Sequence, residues 1–151
     1  MDRDPEDVLN MILLAIEEYE DFHLSTYELE KKGLSYTYET LEHFTKIYPN
    51  DEIYFIIGED SYVNFSSWRN PEIILNLADL VVFQRELTGK DRTSDAAEFF
   101  EKHEKHPIIL DSLTLEVSSS DIRDRVKSGK EIGYLVPHKV RDYIDEHGLY
   151  K

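Results

Sequence analysis

Five consecutive apolar residues, Ile53 to Ile57, stop at Gly58 and are followed by two carboxylates, Glu59 and Asp60. No other stretch narrows the fold as much. A strand with water on one face alternates apolar and polar side chains. A strand in a parallel sheet, with helices on both sides, reads as an unbroken run of Val, Ile and aromatic residues. Ile53 to Ile57 is therefore expected to be a strand covered on both faces. Ligands of open α/β sheets sit beyond the carboxyl ends of the strands, which places Gly58, Asp60 and Trp68 at the expected functional edge.

The flanking sequence fits that frame. Asp4-Pro5-Glu6-Asp7 combines a capping carboxylate, a proline at the first helical position and acids in the first turn. Val8, Leu9, Ile12, Leu13, Ile16 and Tyr19 then repeat at helical spacing, which predicts a helix to about Glu20. Phe22 to Leu29 reads as a short strand, ended by a turn at Lys31-Lys32-Gly33. Ser35 or Thr37 is expected to cap a second helix carrying Tyr38, Leu41, Phe44 and Tyr48, closed by Pro49-Asn50. Asn70-Pro71-Glu72 starts a helix through Ala78, and Leu80 to Phe83 is a second apolar strand, so the pair implies a parallel crossover. Glu86 to Ser94 has no period and reads as a loop. A helix from about Ser94 to Lys105 leads to apolar segments at Ile108 to Leu110 and Leu113 to Val117. Ser118-Ser119-Ser120 opens a helix stopping at Gly129, and Val140, Tyr143 and Ile144 mark the inner face of a last helix ended by Gly148. Strands alternating with helices make the chain α/β with a mainly parallel sheet.

The 151 residues, 40% hydrophobic and 12% aromatic, suit one core, so residues 1–151 are expected to form a single domain. With 17 basic and 32 acidic residues the net charge is -15, which argues against nucleic acid or an anionic membrane as partner. The imbalance is local. Residues 1–30 hold ten acids against Arg3, whereas residues 121–151 hold six acids against seven basic residues, leaving room for a small phosphorylated ligand near the C-terminus. There is no cysteine for a disulfide or thiolate site. No apolar run approaches the ~20 residues of a membrane span, so a soluble, cytoplasmic protein is expected.

Two groups of residues suggest chemistry. Three hydroxyls and the free N–H groups of a helix start at Ser118, Ser119 and Ser120 form an anion site, with Arg123 one turn in and able to fork onto phosphate oxygens. The competing reading is a plain N-cap with an exposed arginine. Arg85, just after a strand, is either a second phosphate contact or a surface arginine. Trp68, the one tryptophan, lies among Asn64, Ser66, Ser67 and Arg69, where a ring stacked on a planar ligand competes with a core role. Asp60 suits a ribose hydroxyl or a cap for a helix from Ser61. His103 and His106 have metal-like spacing without a third ligand and read as a solvated face, so no metal-ligating residue is assigned.

These residues carry a family resemblance. GLSYTYETL at Gly33 to Leu41, IYFIIGEDSYVNFSSW at Ile53 to Trp68, VVFQR at Val81 to Arg85, VSSSDIR at Val117 to Arg123 and YLVPHKVRDYIDEHGLY at Tyr134 to Tyr150 together resemble bacterial nicotinate-nucleotide adenylyltransferase. The resemblance covers nearly the whole chain in the right order. It implies a Rossmann-like, doubly wound fold of nucleotidylyltransferase type. The implied reaction is adenylyl transfer from ATP to nicotinate mononucleotide, with Mg²⁺ carried on the ATP phosphates, yielding nicotinate adenine dinucleotide and pyrophosphate in NAD biosynthesis. It further implies that Trp68 stacks on the nicotinate ring and that Tyr36 and Thr37 receive its carboxylate through backbone donors. Gly58 and Asp60 would hold the adenosine ribose, Ser119, Ser120 and Arg123 the triphosphate, with Arg123 catalytic, and Arg85 would lie near the phosphates on the mononucleotide side.

The family's opening strand, its Gly-Thr-Phe-Asp-Pro loop and its His-x-Gly-His motif do not occur in these 151 residues. The expectation is an N-terminally truncated domain without the first strand, first helix and second strand, its strand at Ile53 to Ile57 left at an open edge through which copies associate. Two rival readings remain: a catalytically inactive nucleotide-binding or interaction module derived from this family, and a sister transferase acting on phosphopantetheine. Trp68 and Ser35-Tyr36-Thr37, suited to a flat carboxylated ring, weigh against the second.

Overall fold

A computed structural model describes residues 4–31, 33–84, 95–111 and 117–151. The chain divides into two compact units, one of Lys31–Leu115 and one of Met1–Glu30 with Glu116–Lys151.

The first unit holds the sheet. Helix α3 (Thr37–Ile47) precedes strand β1 (Tyr54–Gly58). Helix α4 (Glu59–Val63) and a single 3₁₀ turn (Phe65–Ser67) follow, then α5 (Pro71–Leu77) and β2 (Asp79–Gln84). Helix α6 (Asp95–Lys102) and β3 (Ile108–Asp111) complete it. The strands run in the order β1-β2-β3, all parallel, with Ile56 opposite Val81 and Val81 opposite Ile108. This is the Rossmann-like parallel arrangement that the strand and helix alternation implies.

Side chains alternate across a strand, so the register sorts the two faces. Phe55, Ile57, Leu80 and Val82 join Leu41, Phe65, Ile74, Leu75, Ala96 and Phe100 in one core. The opposite face is mostly open: Tyr54, Ile56, Phe83, Ile108 and Leu110 are exposed, Ile56 at 60%, while Val81 is buried. The unbroken apolar run at Ile53 to Ile57 is therefore not a strand covered on both faces. Among the described residues it supplies an edge strand with one covered face, and Ile53 lies just outside it. The central strand is β2, paired on both edges, with Leu80, Val81 and Val82 buried.

In the second unit α1 (Pro5–Ile16) starts as expected, with the Asp4 carboxylate accepting the Glu6 N–H at 3.0 Å. It stops four residues short of Glu20. Glu17, Glu18 and Glu20 at the negative end of the helix dipole, with no basic residue in the last turn, oppose continuation. Phe22 to Leu29 is not a strand either. Residues 22–26 are irregular and Tyr27–Glu30 forms the short helix α2. Ser25 Oγ accepts the Tyr27 N–H and Thr26 Oγ1 donates to the Glu30 carboxylate at 2.6 Å, local bonds that favour a helical turn over a strand. Helices α7 (Ser119–Lys127) and α8 (His138–Glu146) complete the unit. Ile132, Val140 and Ile144 form its core, against which Met11, Leu14, Ile122 and Val126 pack. Gly129 and Gly148, at φ 65° and 62°, sit just beyond these helices in the left-handed conformation that ends them. The loop expected at Glu86 to Ser94, and most of Leu113 to Val117, lie outside the described residues. Among those described, no helix is long and apolar enough to cross a membrane.

Candidate functional site

The first unit gathers its candidate residues at the carboxyl end of β1 and the start of α3. Gly58 is the last residue of β1 and the N-cap of α4, with φ −82°. A Cβ built on it meets no atom within 4 Å. Neither backbone conformation nor packing among the described residues demands glycine there. A ligand lying against the backbone would supply such a demand. Asp60 is exposed in the first turn of α4. It does not cap a helix beginning at Ser61, because the helix already begins at Glu59.

Trp68 closes the 3₁₀ turn, its N–H donating to the Phe65 carbonyl at 3.0 Å. The ring is half-buried and braced by two others, Phe65 at 5.3 Å and tilted by 38°, and Phe55 at 6.1 Å and nearly edge-on. The core role expected of this ring is therefore seen in part. The side chain packs on the core and is not fully covered. Asn70, at φ 51°, turns the chain in the left-handed region immediately before Pro71. Asparagine tolerates that conformation better than most residues.

Helix α3 is capped by Tyr36, not by Ser35 or Thr37, and Thr37 is its first residue. The Glu39 carboxylate accepts the Tyr36 N–H at 3.2 Å and also pairs with the Lys31 ammonium. Lys31 in turn holds the Glu39 carboxyl below its ordinary value, the Tyr36 N–H adding to the effect against partial desolvation. Of the two backbone donors expected at this helix start, Tyr36's is thus already engaged. Thr37 offers an N–H that no carbonyl of the helix can reach. The exposed Tyr36 ring lies 6.1 Å from that of Tyr38 at 21°, and the Arg69 guanidinium lies 6.0 Å from its centroid. Sequence reasoning missed Arg69, for which adjacency to Trp68 was the only signal.

In the second unit Ser118 is the N-cap of α7. Its hydroxyl accepts the Asp121 N–H at 3.1 Å, and the Asp121 carboxylate accepts the Ser118 N–H at 3.0 Å. The Ser118 hydroxyl, and then its N–H, hold the Asp121 carboxyl below its ordinary value. With Ser118 committed to capping, Ser119 and Ser120 are exposed in the first turn. Arg123 Nη2 donates to Ser120 Oγ at 3.0 Å and has no carboxylate partner among the described residues. Cap and arginine thus coexist with free first-turn donors, and the ordinary N-cap reading does not displace the anion-site reading. A cavity of about 190 Å³ in this unit, lined by Val126, Lys130, Ile132, Arg141 and Asp145 among others, contains none of these residues. Arg85 lies outside the described residues. His103 Nδ1 is 2.7 Å from the Phe99 carbonyl, and no group of three His, Asp or Glu among the described residues could hold a metal.

Residues 5–125 match the family model described as cytidylyltransferase-like. A protein of Clostridium tetani named "Probable nicotinate-nucleotide adenylyltransferase" is 42% identical over 143 residues, covering 94% of this chain and 72% of its own length. One of Clostridium perfringens with the same name is 41% identical over 142 residues, covering 93% and 70%. Among solved structures, Plasmodium falciparum nicotinic acid mononucleotide adenylyltransferase complexed with APC superposes with a TM-score of 0.72 at 21% identity, over 97% of this chain and 76% of that one. Its complex with NaAD gives 0.72 at 20%, over 98% and 75%. At that identity the structures speak for the fold, and the closer relatives for the family. The chain belongs to the cytidylyltransferase-like family and, within it, to the nicotinate-nucleotide adenylyltransferases.

Proposed function

We propose that this protein transfers the adenylyl group of ATP, bound as its Mg²⁺ complex, to nicotinate mononucleotide. A phosphate oxygen of the mononucleotide attacks the α-phosphorus in line. The new O–P bond forms as the bond to the β-phosphate's bridging oxygen breaks, and pyrophosphate leaves with the electron pair. No protein nucleophile is required, because positioning and charge stabilisation lower the barrier.

In this reading Trp68 stacks on the pyridine ring, and the α3 start at Tyr36 and Thr37 faces its carboxylate, a helix N-terminus being worth about 0.3 to 1 kcal/mol to an anion. Gly58 and Asp60 take the adenosine ribose. Ser119, Ser120 and Arg123 take the triphosphate, Arg123 stabilising charge as pyrophosphate departs, and Arg85 is assigned to the mononucleotide phosphate. The observation that carries the reading is Trp68 itself, braced by Phe55 and Phe65 yet only partly buried. The same ring weighs against phosphopantetheine, which has no flat carboxylated group to stack. Incubation with Mg²⁺, ATP and nicotinate mononucleotide should give dinucleotide and pyrophosphate in equal amounts, each dependent on both substrates. Binding of both substrates without product would favour the inactive module, and binding of neither would reject the assignment.

A further inference from the structure

We infer that the guanidinium of Arg69 is a specificity determinant for the carboxylate of the mononucleotide's pyridine ring, separating nicotinate from nicotinamide. The inference deepens the proposed function and rests on its placement of the ring at Trp68.

Charge bookkeeping around the α3 start is the first support. An anionic ligand there meets the Glu39 carboxylate, which already takes the Tyr36 N–H and would repel a second carboxylate. The Lys31 ammonium is paired with Glu39, so those two charges offset each other. The remaining helix donors carry only partial charge. Among the described residues Arg69 is the unpaired full positive charge beside this helix start, 6.0 Å from the centre of the Tyr36 ring.

Its lack of a partner is the second. The other described arginines all donate to oxygen: Arg123 to Ser120, Arg125 to the Glu131 carbonyl and the Tyr134 hydroxyl, Arg141 to Asp142. Arg69 makes no ion pair or hydrogen bond with a described residue, in a chain with 32 acidic side chains. Its contact is with an aromatic face, which leaves the edge of the planar fork available for a bidentate carboxylate. Its position is fixed from both sides. Trp68 is anchored through its N–H to Phe65, and Asn70 turns the chain into α5. A ring stacked on Trp68 would thus lie one residue along the chain from Arg69.

The test compares two ligands that differ only in a carboxylate and a carboxamide. Equilibrium dissociation constants of nicotinate and nicotinamide mononucleotide are measured for the wild type, Arg69→Ala and Arg69→Lys, together with that of ATP and the thermal midpoint. Loss of a charge-assisted pair should weaken nicotinate mononucleotide roughly tenfold in Arg69→Ala. Nicotinamide mononucleotide, ATP and the midpoint should be nearly unchanged, and Arg69→Lys, keeping charge without the fork, should recover part of the loss. An equal loss for both mononucleotides, or no loss in either variant, overturns the role of Arg69. A wild type that binds neither mononucleotide overturns the underlying reading instead.

Discussion

At the scale of single residues, each unit holds candidate positions whose ordinary structural duties are incomplete. Gly58 occupies a position that any residue could occupy, Trp68 is only half packed, and Arg123 is aligned by a serine hydroxyl instead of neutralised by an acid. If Arg123 binds triphosphate, Arg123→Ala should lose about 1.5 to 3 kcal/mol of ATP affinity, the range for hydrogen bonds to charged groups. Arg123→Lys should be intermediate, since it keeps the charge and loses the planar fork. Calorimetric titration of ATP against the three proteins checks this, and equal affinities would reduce Arg123 to a helix-surface residue. Trp68 and Arg123 were conspicuous in the sequence because each sits in a context that a purely structural residue seldom has. Arg69 was not, because its contact with Tyr36 joins residues 33 positions apart.

At the scale of elements the start of α7 has a pH signature. The Asp121 carboxyl lies below its ordinary 3.8 in the folded chain, chiefly through the Ser118 hydroxyl and N–H. A group with a depressed folded value contributes stability above its unfolded value and loses it as pH falls through the folded one. The contribution should therefore be complete above about pH 4 and fade below it. Thermal denaturation of wild type and Asp121→Asn should show a gap at neutral pH that closes in acid, and a gap independent of pH would contradict the capping role. Elements defined by local chemistry were readable in advance: the Asp4-Pro5 start of α1, the proline start of α5 and the hydroxyl start of α7. Phe22 to Leu29 was misread because its apolar residues suggested a strand, while Ser25 and Thr26 supplied bonds for a turn. The covered second face expected of Ile53 to Ile57 depends on what else lies over the sheet, and a single segment carries no such information.

At the scale of the molecule, the exposed face of Tyr54, Ile56, Phe83, Ile108 and Leu110 adjoins an edge of β1 that no described strand pairs. Unpaired edges beside apolar surface recruit further chains. A second copy is the expected occupant, so sedimentation velocity should show concentration-dependent self-association, reduced by Ile56→Lys. A wild type monomeric at every concentration would contradict it. The central claim, that the chain recognises a nicotinate nucleotide on a half-open tryptophan, can be read from the protein's own fluorescence, because Trp68 is its single tryptophan. Stacking should be worth on the order of 1 kcal/mol and should perturb the ring directly. Titration with nicotinate mononucleotide is predicted to quench Trp68 emission saturably, and ATP to quench it far less. Emission unchanged by the mononucleotide, or quenched equally by ATP, would contradict the account.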